Sequence, residues 1–116
     1  MKIEVLGVYL VDFKNNIGGE LNGKHYALII SKKSNDKTYI SVPITSKKKG
    51  KKYRSGITID CTKYQKAPTY DKAFIRIDEI REISFQRVYG KKVYSLDDED
   101  AQKFIEKFNL FFKLKE

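Results

Sequence analysis

The hydrophobic positions of this chain first alternate with polar ones and later follow a helical period. Runs rich in Val, Leu, Ile and Tyr, separated by Gly, Asn and Lys clusters, predict a series of short strands. We expect the strands at residues 4–13, 25–31, 38–45, 55–60, 72–78 and 90–95, with an irregular extension over 79–83 and a helical turn at 84–88. Pro43 interrupts the third run, which predicts an edge, a bulge or a strand end.

The last segment changes period. Six apolar residues have the spacing of a single helix face: Ala101, Phe104, Ile105, Phe108, Phe111 and Phe112. We predict a helix over Asp98–Leu114, capped by Ser95 or Asp97. Its aromatic face is expected to pack mainly into the core, with a dimer contact as the alternative. Short strands followed by one long helix predict a mainly β fold, a small twisted sheet or barrel with the helix packed on it.

The net charge is unusually large for a chain of 116 residues, at +9 from 24 Lys and Arg against 15 Asp and Glu. It favours an anionic partner, which could be nucleic acid, an acidic protein or a membrane surface. The membrane is the weakest of these, because the basic residues cluster in a loop. The N-terminal segment is strand-like and unlike a signal peptide. We expect one cytoplasmic domain over residues 1–116.

Cysteine and histidine usage limits the possible chemistry. Cys61 is the only cysteine and has no partner for an internal disulfide. With His25 as the only histidine, the chain falls short of a usual metal-ligand set. We therefore expect no metal site and no cofactor.

The strongest local signal is a basic segment at residues 45–54. It follows a strand and contains a glycine, which predicts a loop. Lysines there would contact phosphates without reading sequence, and Tyr53 could stack on a base. The alternative is a solvated loop that only aids solubility. The candidate RNA-binding residues of the segment are Ser46, Lys47, Lys48, Lys49, Lys51, Lys52, Tyr53 and Arg54.

His25 begins the second predicted strand, directly after Lys24. If the two neighbouring strands form a hairpin that turns near residues 34–36, its open end gathers His25, Lys24, Thr45 and Ser46 at one rim. Histidine changes charge near neutral pH and serves as general acid, general base or phosphate ligand. A strand-end histidine bonded to the backbone is the alternative.

Several segments together resemble the MazF/PemK toxins of bacterial toxin–antitoxin systems. They occur in the family's order and spacing, and they run on through Leu96-Asp97-Asp98-Glu99 into the last helix. The matching segments are VYLVDF (Val8–Phe13), NIGGELNGKHYALIIS (Asn16–Ser31), VPITSK (Val42–Lys47) and KAFIRIDEIREISFQRV (Lys72–Val88).

This resemblance implies an SH3-like barrel with a C-terminal helix, usually a homodimer. It implies metal-independent, sequence-specific cleavage of single-stranded RNA, often mRNA. The 2′-hydroxyl attacks the adjacent phosphorus and leaves a 2′,3′-cyclic phosphate and a 5′-hydroxyl. It also implies inhibition by an antitoxin, expected here to be a small acidic protein, with an RNA antitoxin as the alternative.

Only some of the family's site residues have a match in this sequence. Thr45 matches the family's active-site threonine, and Glu20 matches the acidic residue of the loop over the site. Where the family usually has Arg-Pro at the start of the second strand, this chain has His25-Tyr26. We expect His25 to act as general acid or base, Thr45 to position the phosphate and Lys24 to neutralise it. The opposite proton-transfer role would then fall to Glu20, a water or a group from a second subunit.

Two further interpretations stay open. Arg81 matches an arginine of the family's Glu-Gln-Ile-Arg segment, and we interpret it as mainly structural, near the barrel or dimer contact, with RNA binding as the alternative. The chain as a whole could also be a non-catalytic SH3-like module that binds RNA or protein and lost catalysis when the arginine was replaced.

Overall fold

A computed structural model describes residues 2–14, 23–33 and 37–113. It contains seven strands and one α-helix, and all strand pairs are antiparallel. The strands are β1 (Gly7–Asp12), β2 (Lys24–Lys32), β3 (Thr38–Ser46), β4 (Gly56–Asp60), β5 (Lys72–Arg76), β6 (Arg81–Ser84) and β7 (Val88–Ser95), and the helix is α1 (Asp98–Phe111). Among the described residues, no helix is long and apolar enough to cross a membrane.

The strands form one sheet in the order β4-β5-β3-β2-β1-β7, and β6 pairs with β3 beside β5. The mainly β fold with a C-terminal helix, of the SH3-like barrel type, is therefore confirmed. The irregular extension predicted at 79–83 is a 3₁₀ turn at Ile77–Glu79 followed by β6, which pairs with β3 instead of continuing β5. Another 3₁₀ turn lies at Phe85–Arg87, as the helical-turn prediction expected. The predicted hairpin turn at residues 34–36 lies outside the described residues.

Pro43 lies in the interior of the sheet, where β3 changes partner. β3 pairs with β2 on one side, and on the other it pairs with β6 through Ser41 and with β5 from Ile44 onward. Pro43 falls between these two ladders. A residue without an N–H is tolerated there because the ladder with β6 ends at Ser41 and the ladder with β5 begins at Ile44.

The three central strands are buried on both faces. Val8, Leu28 and Val42 belong to a core cluster that also holds Phe104 of α1. Alternate residues of the same strands, such as Val11 and Ile29, belong to a second cluster on the other face. Two-sided burial explains why the apolar run of β2 does not alternate.

The start of α1 is fixed by a group of residues that we call the helix clasp: Lys63, Tyr64, Asp97 and Asp100. Asp97 caps the helix and accepts a hydrogen bond from the Asp100 N–H at 2.9 Å. The Tyr64 hydroxyl donates to the Asp100 carboxylate and accepts from the Asp97 N–H at 3.2 Å. The Lys63 ammonium lies 2.5 Å from Asp97 and 3.3 Å from Asp100. Asp97 is thus the cap, and Ser95 is not.

The other end of α1 extends beyond the core. Phe104 is buried, whereas Phe111 and Phe112 are each 44% exposed. Tertiary packing supplies most helix stability in proteins, so this last turn gains little of it. The helix ends at Phe111 rather than at residue 114. The predicted core role therefore holds for Ala101, Phe104 and Phe108 but not for Ile105, Phe111 and Phe112, which are exposed.

Candidate functional site: a basic cleft at the ends of β2 and β3

Antiparallel pairing of β2 and β3 brings His25 and Thr45 together. The last registered pair is Tyr26 with Ile44, and His25 and Thr45 are the next residues in register. Both line an open cleft of about 530 Å³ and also a smaller neighbouring cleft of about 270 Å³. The larger of these is the basic cleft below. The rim predicted from hairpin symmetry is present, with Ser46 lining both clefts as well.

The charges of the basic cleft are strongly one-sided. Asp78 is the one carboxylate among the described residues that line it. Five cationic side chains face the same space: Lys48, Lys51, Lys52, Arg54 and Arg76. Such an excess of positive charge in a concave surface attracts polyanions and concentrates them near the site.

The basic loop is tied down by Tyr53. The Tyr53 hydroxyl donates to the Ser46 carbonyl at 3.1 Å and accepts from the Lys48 N–H at 2.9 Å. Its ring packs on Phe74 with 5.2 Å between ring centroids. Tyr53 therefore closes the loop back onto the end of β3, next to Thr45. The base-stacking role predicted for it competes with this packing and remains a prediction.

Other members of the basic segment have separate environments. The Lys47 ammonium donates to the Thr58 hydroxyl of β4 at 2.7 Å. Lys49 is exposed at the turn and does not line the cleft. Gly50 takes φ +80°, a left-handed conformation that glycine adopts without steric cost and that lets the loop reverse direction.

Arg76 and Asp78 belong to the cleft but were not predicted from the sequence. Arg76 ends β5, two residues after Phe74, which is registered with Thr45. Its Nη2 lies 3.4 Å from Asp78 and 3.6 Å from Glu79. Strand alternation places Arg76 on the same face of β5 as Phe74, but that signal has value only once the β3–β5 pairing is known.

Comparison with protein families identifies this architecture. Residues 4–112 match the family described as "PemK-like, MazF-like toxin of type II toxin-antitoxin system". The chain belongs to this family. It is consequently a toxin of a toxin–antitoxin system, and an antitoxin is its partner.

Solved structures of MazF proteins share the fold. The Mycobacterium tuberculosis toxin MazF-mt6 aligns with a TM-score of 0.67 at 13% identity, covering 95% of this chain and 99% of that one. MazF from Deinococcus radiodurans aligns with a TM-score of 0.71 at 16% identity, covering 97% of each chain. No curated protein gives a significant match. At these identities the structural likeness concerns the fold alone.

Two further residues predicted from the MazF/PemK resemblance, Lys24 and Arg81, do not line the basic cleft. Lys24 lines the smaller cleft with His25 and Thr45, and its ammonium lies 4.6 Å from the Tyr89 ring centroid. This cation–π contact draws Lys24 away from the space that holds the other cations. Glu20 lies outside the described residues.

Arg81 lines a third cleft, of about 400 Å³, together with Phe13. Its guanidinium lies 2.9 Å from the Glu79 carboxylate and 5.2 Å from the Phe13 ring centroid. These contacts agree with the mainly structural interpretation of Arg81. The Phe13 and His25 ring centroids are 6.3 Å apart, so Phe13 is near both Arg81 and the candidate catalytic residue.

The described residues that could bind a metal ion do not cluster into a metal site. Within the described part of the chain, no group of three or more His, Cys, Asp and Glu residues is placed to hold an ion. Cys61 is buried under the core, and burial raises the pKa of its thiol.

Proposed function

We propose that this toxin is a metal-independent, sequence-specific endoribonuclease that cleaves single-stranded RNA, with mRNA as the expected target. The observation that carries the proposal is the placement of His25 and Thr45 together in a cleft with five cations. A proton-transfer group, a hydroxyl and an excess of positive charge are what cleavage of a phosphodiester requires. Ribonuclease activity is also what family membership leads one to expect.

The proposed reaction uses the RNA's own 2′-hydroxyl as nucleophile. A base removes the 2′-hydroxyl proton while the oxygen attacks phosphorus. The bond from phosphorus to the 5′-oxygen then breaks, and an acid protonates the departing oxygen. The products are a 2′,3′-cyclic phosphate and a 5′-hydroxyl.

Within that reaction, His25 serves as general acid or general base, and the Thr45 hydroxyl positions the phosphate by a hydrogen bond. Lys24 contributes positive charge from the adjoining cleft. The opposite proton-transfer role falls to Glu20, a water or a group of a second subunit, because the chain has only one histidine. The same cleft holds a further carboxylate, Asp78.

The proposed partners are RNA, an antitoxin and a second copy of the chain. Ser46 and the basic segment bind the RNA backbone, and Arg81 extends the contact if the RNA reaches the third cleft. The antitoxin is proposed to be a small acidic protein that competes for the basic cleft. We further propose a cytoplasmic homodimer, in which exposed aromatic residues at the end of α1, Phe111 and Phe112, meet a second copy.

The decisive experiment is 5′-end mapping on a long unstructured RNA incubated with the protein in EDTA. We expect discrete cuts that carry 5′-hydroxyl ends, lost in His25→Ala and in Thr45→Ala. Thr69→Ala is the matched control, because Thr69 is exposed and lines none of the three clefts, so it should leave the cuts unchanged.

Intact RNA with the unmodified protein would reject the nuclease. If that RNA were still bound, the chain would be a non-catalytic SH3-like binding module. The replacement of the family arginine by His25 is the observation that favours this second candidate.

A further inference from the structure

We propose that Arg76 contacts the phosphate held between His25 and Thr45 and supplies the fixed positive charge that a histidine does not. This inference rests on the proposed function and adds a catalytic residue to it. A phosphorane carries more negative charge than the bound diester, so a preorganised cation beside it stabilises the transition state.

The position of Arg76 in the sheet suits this role. Thr45 is registered with Phe74, and Arg76 lies two residues further along β5 on the same face. Diagonal neighbours of this kind in an antiparallel pair are about 7–8 Å apart at their Cα atoms. The long arginine side chain spans such a gap, and both residues line the basic cleft.

Arg76 is also the most ordered cation of that cleft by its surroundings. The three lysines and Arg54 are exposed and lie on the loop, whereas the Arg76 side chain is 27% exposed. Its strand pairs with β3 on one side and β4 on the other. Groups on paired strands are held more precisely than groups on loops, so less order is lost when a phosphate binds.

The existing ion pairs of Arg76 hold the guanidinium in place without using its full capacity. Its contacts with Asp78 and Glu79, at 3.4 and 3.6 Å, are longer than the roughly 2.7–2.9 Å of strong charge-assisted hydrogen bonds. Both involve Nη2, and within the described residues Nη1 and Nε remain available as donors. Arginine suits bidentate recognition of phosphate for this reason.

The first test measures binding without cleavage. The probe is a fluorescein-labelled single-stranded oligodeoxyuridine, which lacks the 2′-hydroxyl, and the readout is fluorescence anisotropy. Arg76→Gln should weaken binding about tenfold, the scale of one lost charge-assisted contact, and Arg76→Lys should recover part of it. Asp78→Asn should strengthen binding several-fold because it releases Arg76, and most of this gain should be lost in an Arg76→Gln background, where only the removed negative charge still acts.

Lys107→Gln is the matched charge control, because Lys107 is exposed on α1 and lines none of the three clefts, so this variant should bind the probe like the unmodified protein. Thermal unfolding of every variant confirms that the fold is kept. The proposal would be overturned if Arg76→Gln bound like Lys107→Gln, or if the gain from Asp78→Asn were the same with and without Arg76.

The second test is a double-mutant cycle on single-turnover RNA cleavage. Alone, Arg76→Gln should slow cleavage about 100-fold, as loss of one preorganised charge does elsewhere. The His25→Arg background restores the arginine that the family usually has at this position, so it is expected to cleave. There the same substitution should cost less than tenfold, because a second guanidinium already occupies the cleft. Equal losses in both backgrounds would overturn the charge-supply role. If the unmodified protein cleaves no RNA, the proposed function fails, while the binding test still decides whether Arg76 contacts phosphate.

Discussion

The helix clasp and the basic cleft contain similar residue types in opposite arrangements. In the clasp, Lys63 meets the carboxylates of Asp97, Glu99 and Asp100 within 3.3 Å. In the cleft, five cations face one carboxylate among the described lining residues. Each charged group of the clasp has a hydrogen-bond or ion-pair partner within the protein, whereas the cleft leaves an excess of positive charge for a ligand to balance. Function is therefore expected where cations outnumber the carboxylates around them, and stability where charged groups are held by protein partners.

The largest effect on stability should come from Asp100. Its carboxylate is 4% exposed and accepts from Tyr64 and Lys63. Asp100→Ala leaves both donors without this acceptor and should lower the free energy of unfolding by about 2 kcal/mol. Urea unfolding measures it.

Glu106→Ala, an exposed change on the same helix, is the control and should shift stability by less than about 0.5 kcal/mol. RNA cleavage by Asp100→Ala at a temperature where it is folded should be unchanged. A loss of activity larger than the loss of folded protein would contradict the division between clasp and cleft.

The next effect concerns RNA affinity. Changing Lys48, Lys51 and Lys52 together to Gln removes three cations from the cleft. Each phosphate contact on a single strand contributes about 0.7 to the slope of log K against log salt, so the slope should fall by up to about 2. Anisotropy titrations over a range of salt concentrations measure this, and stability should barely change.

A matched charge control removes three exposed lysines from elsewhere in the chain: Lys91, Lys107 and Lys113. This triple variant has the same net charge but should keep most of the slope. Equal slopes for the two triple variants would show that overall charge, and not the cleft, governs binding.

A smaller effect should follow from Tyr53→Phe, which removes one hydroxyl and keeps the ring on Phe74. The Ser46 carbonyl and the Lys48 N–H then lose their hydrogen bonds to the Tyr53 hydroxyl, so the loop should open more often. We expect about 1 kcal/mol less stability, faster tryptic cutting within residues 48–52 and slower RNA cleavage. Tyr89→Phe, at an exposed tyrosine, serves as the control. If Tyr53→Phe and Tyr89→Phe were cut by trypsin at the same rate, the Tyr53 hydroxyl would not hold the loop in place.

Local pattern predicted most of the elements of the fold but few of its long-range contacts. The apolar runs of β2 and β3 and the period of α1 are local signals, and hairpin symmetry alone brought His25 to Thr45. Arg76 was missed because its place depends on the pairing of β5 with β3, some 30 residues away along the chain. Pro43 was assigned to an edge, a bulge or a strand end because one sequence does not show where a strand changes partner.

The clasp was missed for a related reason. Lys63 and Asp100 are 37 residues apart, and neither carries a motif. The sequence predicted Asp97 as a possible cap of α1, but no local pattern predicts the burial of Asp100.

The smallest expected effect tests the charge of the clasp by pH. Hydrogen bonding to the Lys63 ammonium, followed by the bond from the Asp100 N–H, lowers the pKa of Asp97 below its usual value near 4. A carboxyl whose folded pKa is lowered adds stability above its unfolded pKa and loses it as pH falls through the folded pKa. Asp97→Asn keeps the capping oxygen but not the charge. The stability gap between it and the unmodified protein should therefore be full at pH 6 and shrink below about pH 4.

Thermal unfolding between pH 2 and 6 measures this gap. Asp60 and Glu4 also have a lowered pKa, through hydrogen bonds from Thr62 and Lys92, so both proteins should still lose stability in acid. Asp98→Asn, one residue further along the helix, is the matched control, because Lys63 pairs with Asp97, Glu99 and Asp100 and not with Asp98. A constant gap for Asp97→Asn would mean that Lys63 does not stabilise the ionised form of Asp97, and the clasp would then owe its stability to Asp100 and Tyr64.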